Sequence, residues 1–212
     1  FFDVLRDEPL DRWYEIGNVI AVVNAGLEET LSDQAEFLLA SEVADAGSII
    51  LSRSQEVPVT KQDATIEHLN RSLVKLGCRR QIKGDEVLRS PWNEWTEREF
   101  EQVLNGGYRT ESYRKPEYRE DQGFQSLYYM NLQIKKEELK EKMKEALKDP
   151  ACGKLFRIKG FMQEENEKWI ELNATQYEIQ MNPVGEGQNV LIVIGEGLEE
   201  DALAKYFGTP AR

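Results

Sequence analysis

The chain has 212 residues, 40% hydrophobic and 9% aromatic, enough to bury a core in one large domain or two small ones. Its 27 basic and 39 acidic residues leave a net charge of −12, which opposes general nucleic-acid binding. No apolar run reaches the roughly 18 residues of a membrane-spanning helix, and no signal peptide is visible.

The first residue is Phe1, not Met, so the expectation is a fragment, a processed product or the ordered part of a longer protein. Two cysteines, Cys78 and Cys152, and one histidine, His68, form no CxxC pair and no Cys/His cluster. A disulfide framework is not expected, a reducing cytoplasm fits, and no soft-metal site is expected within this segment. His68 lies in a predicted helix beside Ile66 and Leu69, where an ordinary surface or boundary role is expected.

Residues 18–24, "NVIAVVN", read as a strand covered on both faces, the pattern of a parallel sheet. A helical pattern follows from about Ser32 to Ser41, with Ser32 as N-cap. Ser48–Ser52 is the next buried strand. Thr60 and Asp63 have capping-box spacing. Ile66, Leu69, Leu73 and Leu76 continue at helical spacing up to a stop at Gly77. A short strand is predicted near Arg79–Ile82. Strand, helix, strand, helix, strand at roughly 30 residues per unit is a βαβ rhythm. Ligands of such sheets sit beyond the carboxyl ends of the strands. Ser52-Arg53-Ser54-Gln55 occupies such an end, which favours a site, although a plain strand-to-loop turn has the same appearance.

Residues 96–105 predict another helix, closed by Gly106 and Gly107. The charged, aperiodic stretch 108–123 reads as a linker between two domains, and its carboxylates Glu111, Glu117, Glu120 and Asp121 as a solvated acidic stretch. Beyond it, 124–134 reads as a strand and 136–148 as an amphipathic helix burying Leu139, Met143, Ala146 and Leu147. Glu138 and Lys142 can pair across one turn of that helix, and Asp149-Pro150 ends it. Strands are predicted at Leu155–Gln163, Trp169–Ala174, Tyr177–Met181 and Asn189–Ile194, joined by loops short enough for hairpins. Arg157 and Lys159 alternate with apolar neighbours and share one face, as an anion contact or as a polar outer face. A helix from about Glu199 to Phe207 completes a small α+β domain with a mainly antiparallel sheet.

Two stretches of this second half, "GKLFRIKGFMQ" (153–163) and "NVLIVIGEGLEEDALAKYF" (189–207), together resemble the C-terminal domain of the CobW-type (cobalamin synthesis protein-like) GTPases. The matching positions are Arg157, Lys159, Gly160 and Phe161 in the first, and Ile194, Gly195, Gly197, Leu198 and Leu203 in the second. The first half is similar to the last part of the same family's GTP-binding domain, through "VIAVVNA" (19–25), Gln34 and "VADAGSIILSRSQ" (43–55). The resemblance implies an α/β fold: the C-terminal part of a P-loop GTPase-type parallel-sheet domain at 1–107, a linker at 108–123 and the α+β domain at 124–212. It sets Ser52, Arg53 and Gln55 in the place of the guanine-recognition motif Asn-Lys-x-Asp. In that motif the Asp accepts two bonds from the guanine ring, and the Lys stem packs along the base. Arg53 stacks at least as well as Lys. Gln55 is neutral, and the expectation is weaker or relaxed guanine selection.

The phosphate-binding loop G-x-x-x-x-G-K-[ST] and the Cys-x-Cys-Cys stretch of the family occur nowhere in the 212 residues. The resemblance therefore implies about 100–180 further residues upstream, and no catalysis is expected from this segment alone. It also implies GTP and Mg²⁺ in the full-length protein, Zn²⁺ or Co²⁺ as cargo, a metalloprotein client, a link to cobalamin synthesis and a cytoplasmic location. Neither nucleic acid nor membrane is an expected partner. A degenerate binding or scaffold module that no longer depends on GTP is the alternative. No Ser/His/Asp set or paired-carboxylate motif supports a self-contained enzyme.

Overall fold

The computed structural model describes residues 2–114, 123–164 and 167–211, and the chain divides into two units, Phe1–Glu117 and Tyr118–Arg212. The first unit runs α1 (Phe2–Arg6), β1 (Ile20–Asn24), α2 (Asp33–Ala44), β2 (Ser48–Ser52), α3 (Val59–Lys75), β3 (Val87–Leu88) and α4 (Glu97–Leu104). Its three strands lie in the order β1-β2-β3, all parallel. Ser32 caps α2 as its sequence position predicts, its Oγ accepting from the Ala35 N–H at 3.1 Å. Gly77, at φ 73, stops α3 in the left-handed conformation that glycine adopts without strain.

Several expectations are corrected here. β1 is not covered on both faces: Ala21 and Val23 enter the core with Val43, Leu69 and Leu73, while Ile20 and Val22 are 45% and 63% exposed. β1 is an edge strand, and the core gathered by α2 and α3 lies against one of its faces only. The strand predicted near Arg79–Ile82 does not form, and β3 is Val87–Leu88 instead. Side chains take the backbone groups that a ladder would have used. Asn70 Oδ1 accepts from the Ile82 N–H at 2.7 Å, and Asn70 Nδ2 donates to the Ile82 carbonyl at 3.0 Å. The buried Arg80 guanidinium turns to the end of α2, donating to the carbonyls of Val43, Ala44 and Ala46. The Thr60–Asp63 capping box is absent because Pro58 is the N-cap, which leaves Thr60 already inside the first turn. Asp63 pairs with Arg89 at 2.6 Å instead, and the capping box sits at Thr96 and Glu99 of α4. Residues 108–114, read as linker, are fastened to the first unit. Arg109 N–H donates to the Asp45 carbonyl, Glu111 N–H to Asp45 Oδ1 and Arg114 N–H to the Leu76 carbonyl, at 2.9–3.0 Å. The acidic positions Glu117, Glu120 and Asp121 lie outside the described residues.

His68 is buried at 4% exposure rather than at a boundary. Its Nε2 meets Glu36 Oε1 at 2.8 Å, and the Ser72 hydroxyl donates to Glu36 Oε2, so three polar side chains lock α3 to α2. Burial pushes the Glu36 carboxyl up, but the bonds from Ser72 and His68 and the charges of His68 and Lys75 outweigh it and hold the group below its ordinary value of 4.5. A depressed carboxylate contributes stability that is present above pH 4.5 and is lost as pH falls through the lower folded value. Glu36→Ala is expected to destabilise the first unit by about 3 kcal/mol at neutral pH, because two buried groups lose their acceptor. Thermal unfolding followed between pH 7 and pH 3 should show an acid-side decline in the wild type that is shallower in Glu36→Ala. Parallel curves would disprove the role given to Glu36.

The second unit runs β4 (Phe124–Met130), α5 (Lys136–Ala146), β5 (Lys154–Gln163), β6 (Trp169–Ala174), β7 (Ile179–Val184), β8 (Val190–Glu196) and α6 (Glu200–Phe207). The strand order is β4-β8-β5-β6-β7, antiparallel throughout. β4 stops four residues before its predicted end because Asn131 turns to φ 55. β7 and β8 do not form a hairpin: β8 crosses over to lie between β4 and β5. Leu139 and Met143 of α5 and Leu203 and Phe207 of α6 bury against Tyr129, Ile158, Leu172 and Leu191 of the sheet. The predicted Glu138–Lys142 pair forms at 3.1 Å.

Candidate functional site at the carboxyl end of the parallel sheet

β1 and β2 end side by side, with Asn24 opposite Ser52, and the Ala25 N–H donates to the Ser52 carbonyl at 2.9 Å. Ser52 is half-buried, and its Oγ donates to the Val23 carbonyl at 3.3 Å, tying the two strand ends together. Arg53 follows in the left-handed conformation, φ 57 and ψ 27. For a residue with a Cβ this conformation costs about 1 kcal/mol, which the surroundings must supply. A 3-10 turn then spans Ser54–Glu56. Arg53 and Gln55 both stand exposed, so the predicted reading side chains are open to a ligand. Ser54 between them is buried at 2%, and its Oγ has no hydrogen-bond partner.

The sequence reading missed the support beneath this turn. Gln62 and Thr65 of α3 are buried polar residues at 8% and 2% exposure. Gln62 Nε2 donates to the Ser54 carbonyl at 3.0 Å and to the Val57 carbonyl at 3.5 Å. Thr65 Oγ1 donates to the Ala25 carbonyl at 2.8 Å. The available signal was positional: both share the face of α3 that buries Ile66, Leu69 and Leu73, where a polar side chain needs a backbone partner.

At the surface Arg53 offers a cation with a stacking plane and Gln55 a carbonyl and an amide, while the unpaired Ser54 hydroxyl lies buried beneath them. Among the described residues no group of three or more His, Cys, Asp or Glu side chains is placed to hold a metal ion. Both cysteines are free and buried, and burial pushes both thiols above their ordinary range. No helix of the described residues is long and apolar enough to cross a membrane.

Residues 130–209 match the family model described as the cobalamin synthesis protein cobW C-terminal domain. No curated protein matches the chain. Among solved structures the chain is similar to the Zn(II)-bound YjiA GTPase from E. coli, at 18% identity and a TM-score of 0.34. It is also similar to a Zn(II)-bound triple mutant of the YjiA GTPase, at 17% identity and a TM-score of 0.35. Each comparison covers 97% of this chain and 65% of the other, so the chain spans less than two thirds of those proteins. Residues 130–209 hold both of the motifs that carried the sequence resemblance, so the likeness to the cobW C-terminal domain rests on this segment of the chain.

Proposed function

We propose that the chain is the C-terminal portion of a CobW-like GTP-binding protein, a cytoplasmic metal chaperone or metal-insertion factor for Zn²⁺ or Co²⁺ with a link to cobalamin. The observation that carries this reading is one chain order: a parallel sheet whose β2 ends in Ser52-Arg53-Ser54-Gln55, followed by a cobW C-terminal domain at 130–209. Residues 1–107 then form part of the GTP-binding domain, 108–123 connect it, and 124–212 face a metalloprotein client. The uncovered side chains of Ile20 and Val22 support further chain packed over that face of the sheet, because parallel sheets bury both faces. Arg53 stacks on the base, Gln55 reads its edge, and Ser52 braces the strand ends. The phosphates and Mg²⁺ fall to residues outside this chain's 212.

A full-length preparation should hydrolyse GTP only with Mg²⁺, and Zn²⁺ or Co²⁺ should change the rate. Arg53→Ala should weaken GTP binding about tenfold through loss of stacking. The neutral Gln55 favours a second reading, a scaffold that no longer turns over nucleotide. Absence of Mg²⁺-dependent hydrolysis would select that reading.

A further inference from the structure

Arg53 is held in a left-handed conformation that a residue with a Cβ avoids, directly before the carbonyl that Gln62 grips. Within residues 53–56 one backbone bond closes the turn, the Glu56 N–H donating to the Arg53 carbonyl at 3.0 Å. The Val57 N–H donates only weakly to the Ser54 carbonyl, at 3.4 Å, and the Ser54 hydroxyl has no partner. The restraints that tie this turn to the rest of the unit come from α3. Gln62 takes the carbonyls of Ser54 and Val57 on the β2 exit, and Thr65 takes the carbonyl of Ala25 on the β1 exit. The two are three residues apart on one helix, so they lie on the same face one above the other. We propose that Gln62 and Thr65 are positioning residues, a buried polar clamp that holds the two strand exits in register and aims Arg53 and Gln55 at the nucleotide base. The proposal rests on the base-site reading given above and extends it to residues that touch no ligand.

The clamp acts on the base and leaves the phosphates alone, and that difference provides the test. GTP and inorganic tripolyphosphate are titrated into the full-length wild type, Gln62→Met and Thr65→Val. Each substitution keeps side-chain size and removes the donor. GTP affinity should fall about tenfold in each variant, the loss of one buried hydrogen bond, with tripolyphosphate affinity unchanged. Unchanged GTP affinity, or an equal fall for both probes with a lower melting temperature, would mean that the two residues support only the fold. If one variant does not fold, the other decides. A wild type that binds no GTP would remove the base site itself, and the clamp's role with it, a result distinct from a silent variant.

Discussion

Gly160→Ala should destabilise the second unit by about 3 kcal/mol and lower its melting temperature by about 15 °C. Gly160 lies on β5 where the strand passes β8, opposite Leu191. A Cβ added there would stand 1.9 Å from the Val190 carbonyl oxygen and 2.9 Å from its carbon. Both are backbone atoms of the central ladder, so relief requires β5 and β8 to separate. Ile158, Met162, Leu191 and Val193 would lose packing together. A nearby control is Gly185, where an added Cβ meets nothing within 4 Å, so Gly185→Ala should change little. Calorimetric melting of both variants checks the claim. Equal melting temperatures would show that the sheet spreads without penalty. Gly195 is constrained in the same way, 2.4 Å from the Lys154 carbonyl oxygen. Gly160 and Gly195, one glycine from each of the two motifs that mark this domain, are therefore explained by the close approach of β5 and β8.

Gln55→Asp should strengthen GTP binding about ten- to hundredfold while leaving ATP binding unchanged. The substitution introduces a carboxylate at the exposed position that follows Arg53 and Ser54. A charged acceptor gains about 1.5–3 kcal/mol over a neutral one when it meets paired N–H donors such as those of guanine. Adenine presents no such donor pair on that edge, so the gain should appear as selectivity. Equal strengthening for both nucleotides would assign the effect to general electrostatics, and no change at all would place the base elsewhere.

The elements most legible in the sequence were those whose signals are local. Ser48–Ser52 and Trp169–Ala174 form at their predicted bounds, because an apolar run or a period-2 alternation needs no knowledge of its neighbours. Ser32 and Gly77 were readable for the same reason, as a cap and a stop. The errors came where a distant side chain decided the outcome. Residues 79–82 have strand composition, but Asn70 takes both backbone groups of Ile82, and the Arg80 side chain is drawn to the end of α2. The loop between β7 and β8 is short enough for a hairpin. Loop length does not reveal that β8, the more apolar strand, is buried between β4 and β5. Ser52, Arg53 and Gln55 were visible as an interruption at a strand end. Gln62 and Thr65 were hidden inside an ordinary amphipathic helix, since only the packed structure shows which carbonyls they reach.

The central claim is that Ser52–Gln55 ends a nucleotide-binding sheet attached to a CobW C-terminal domain. Calorimetric titration of the full-length protein with GTP, GDP and ATP in the presence of Mg²⁺ tests it most directly. The account predicts saturable binding of GTP and GDP, with a preference over ATP that Gln55 keeps modest. Absence of binding by all three nucleotides would contradict it and leave the chain as part of a binding scaffold.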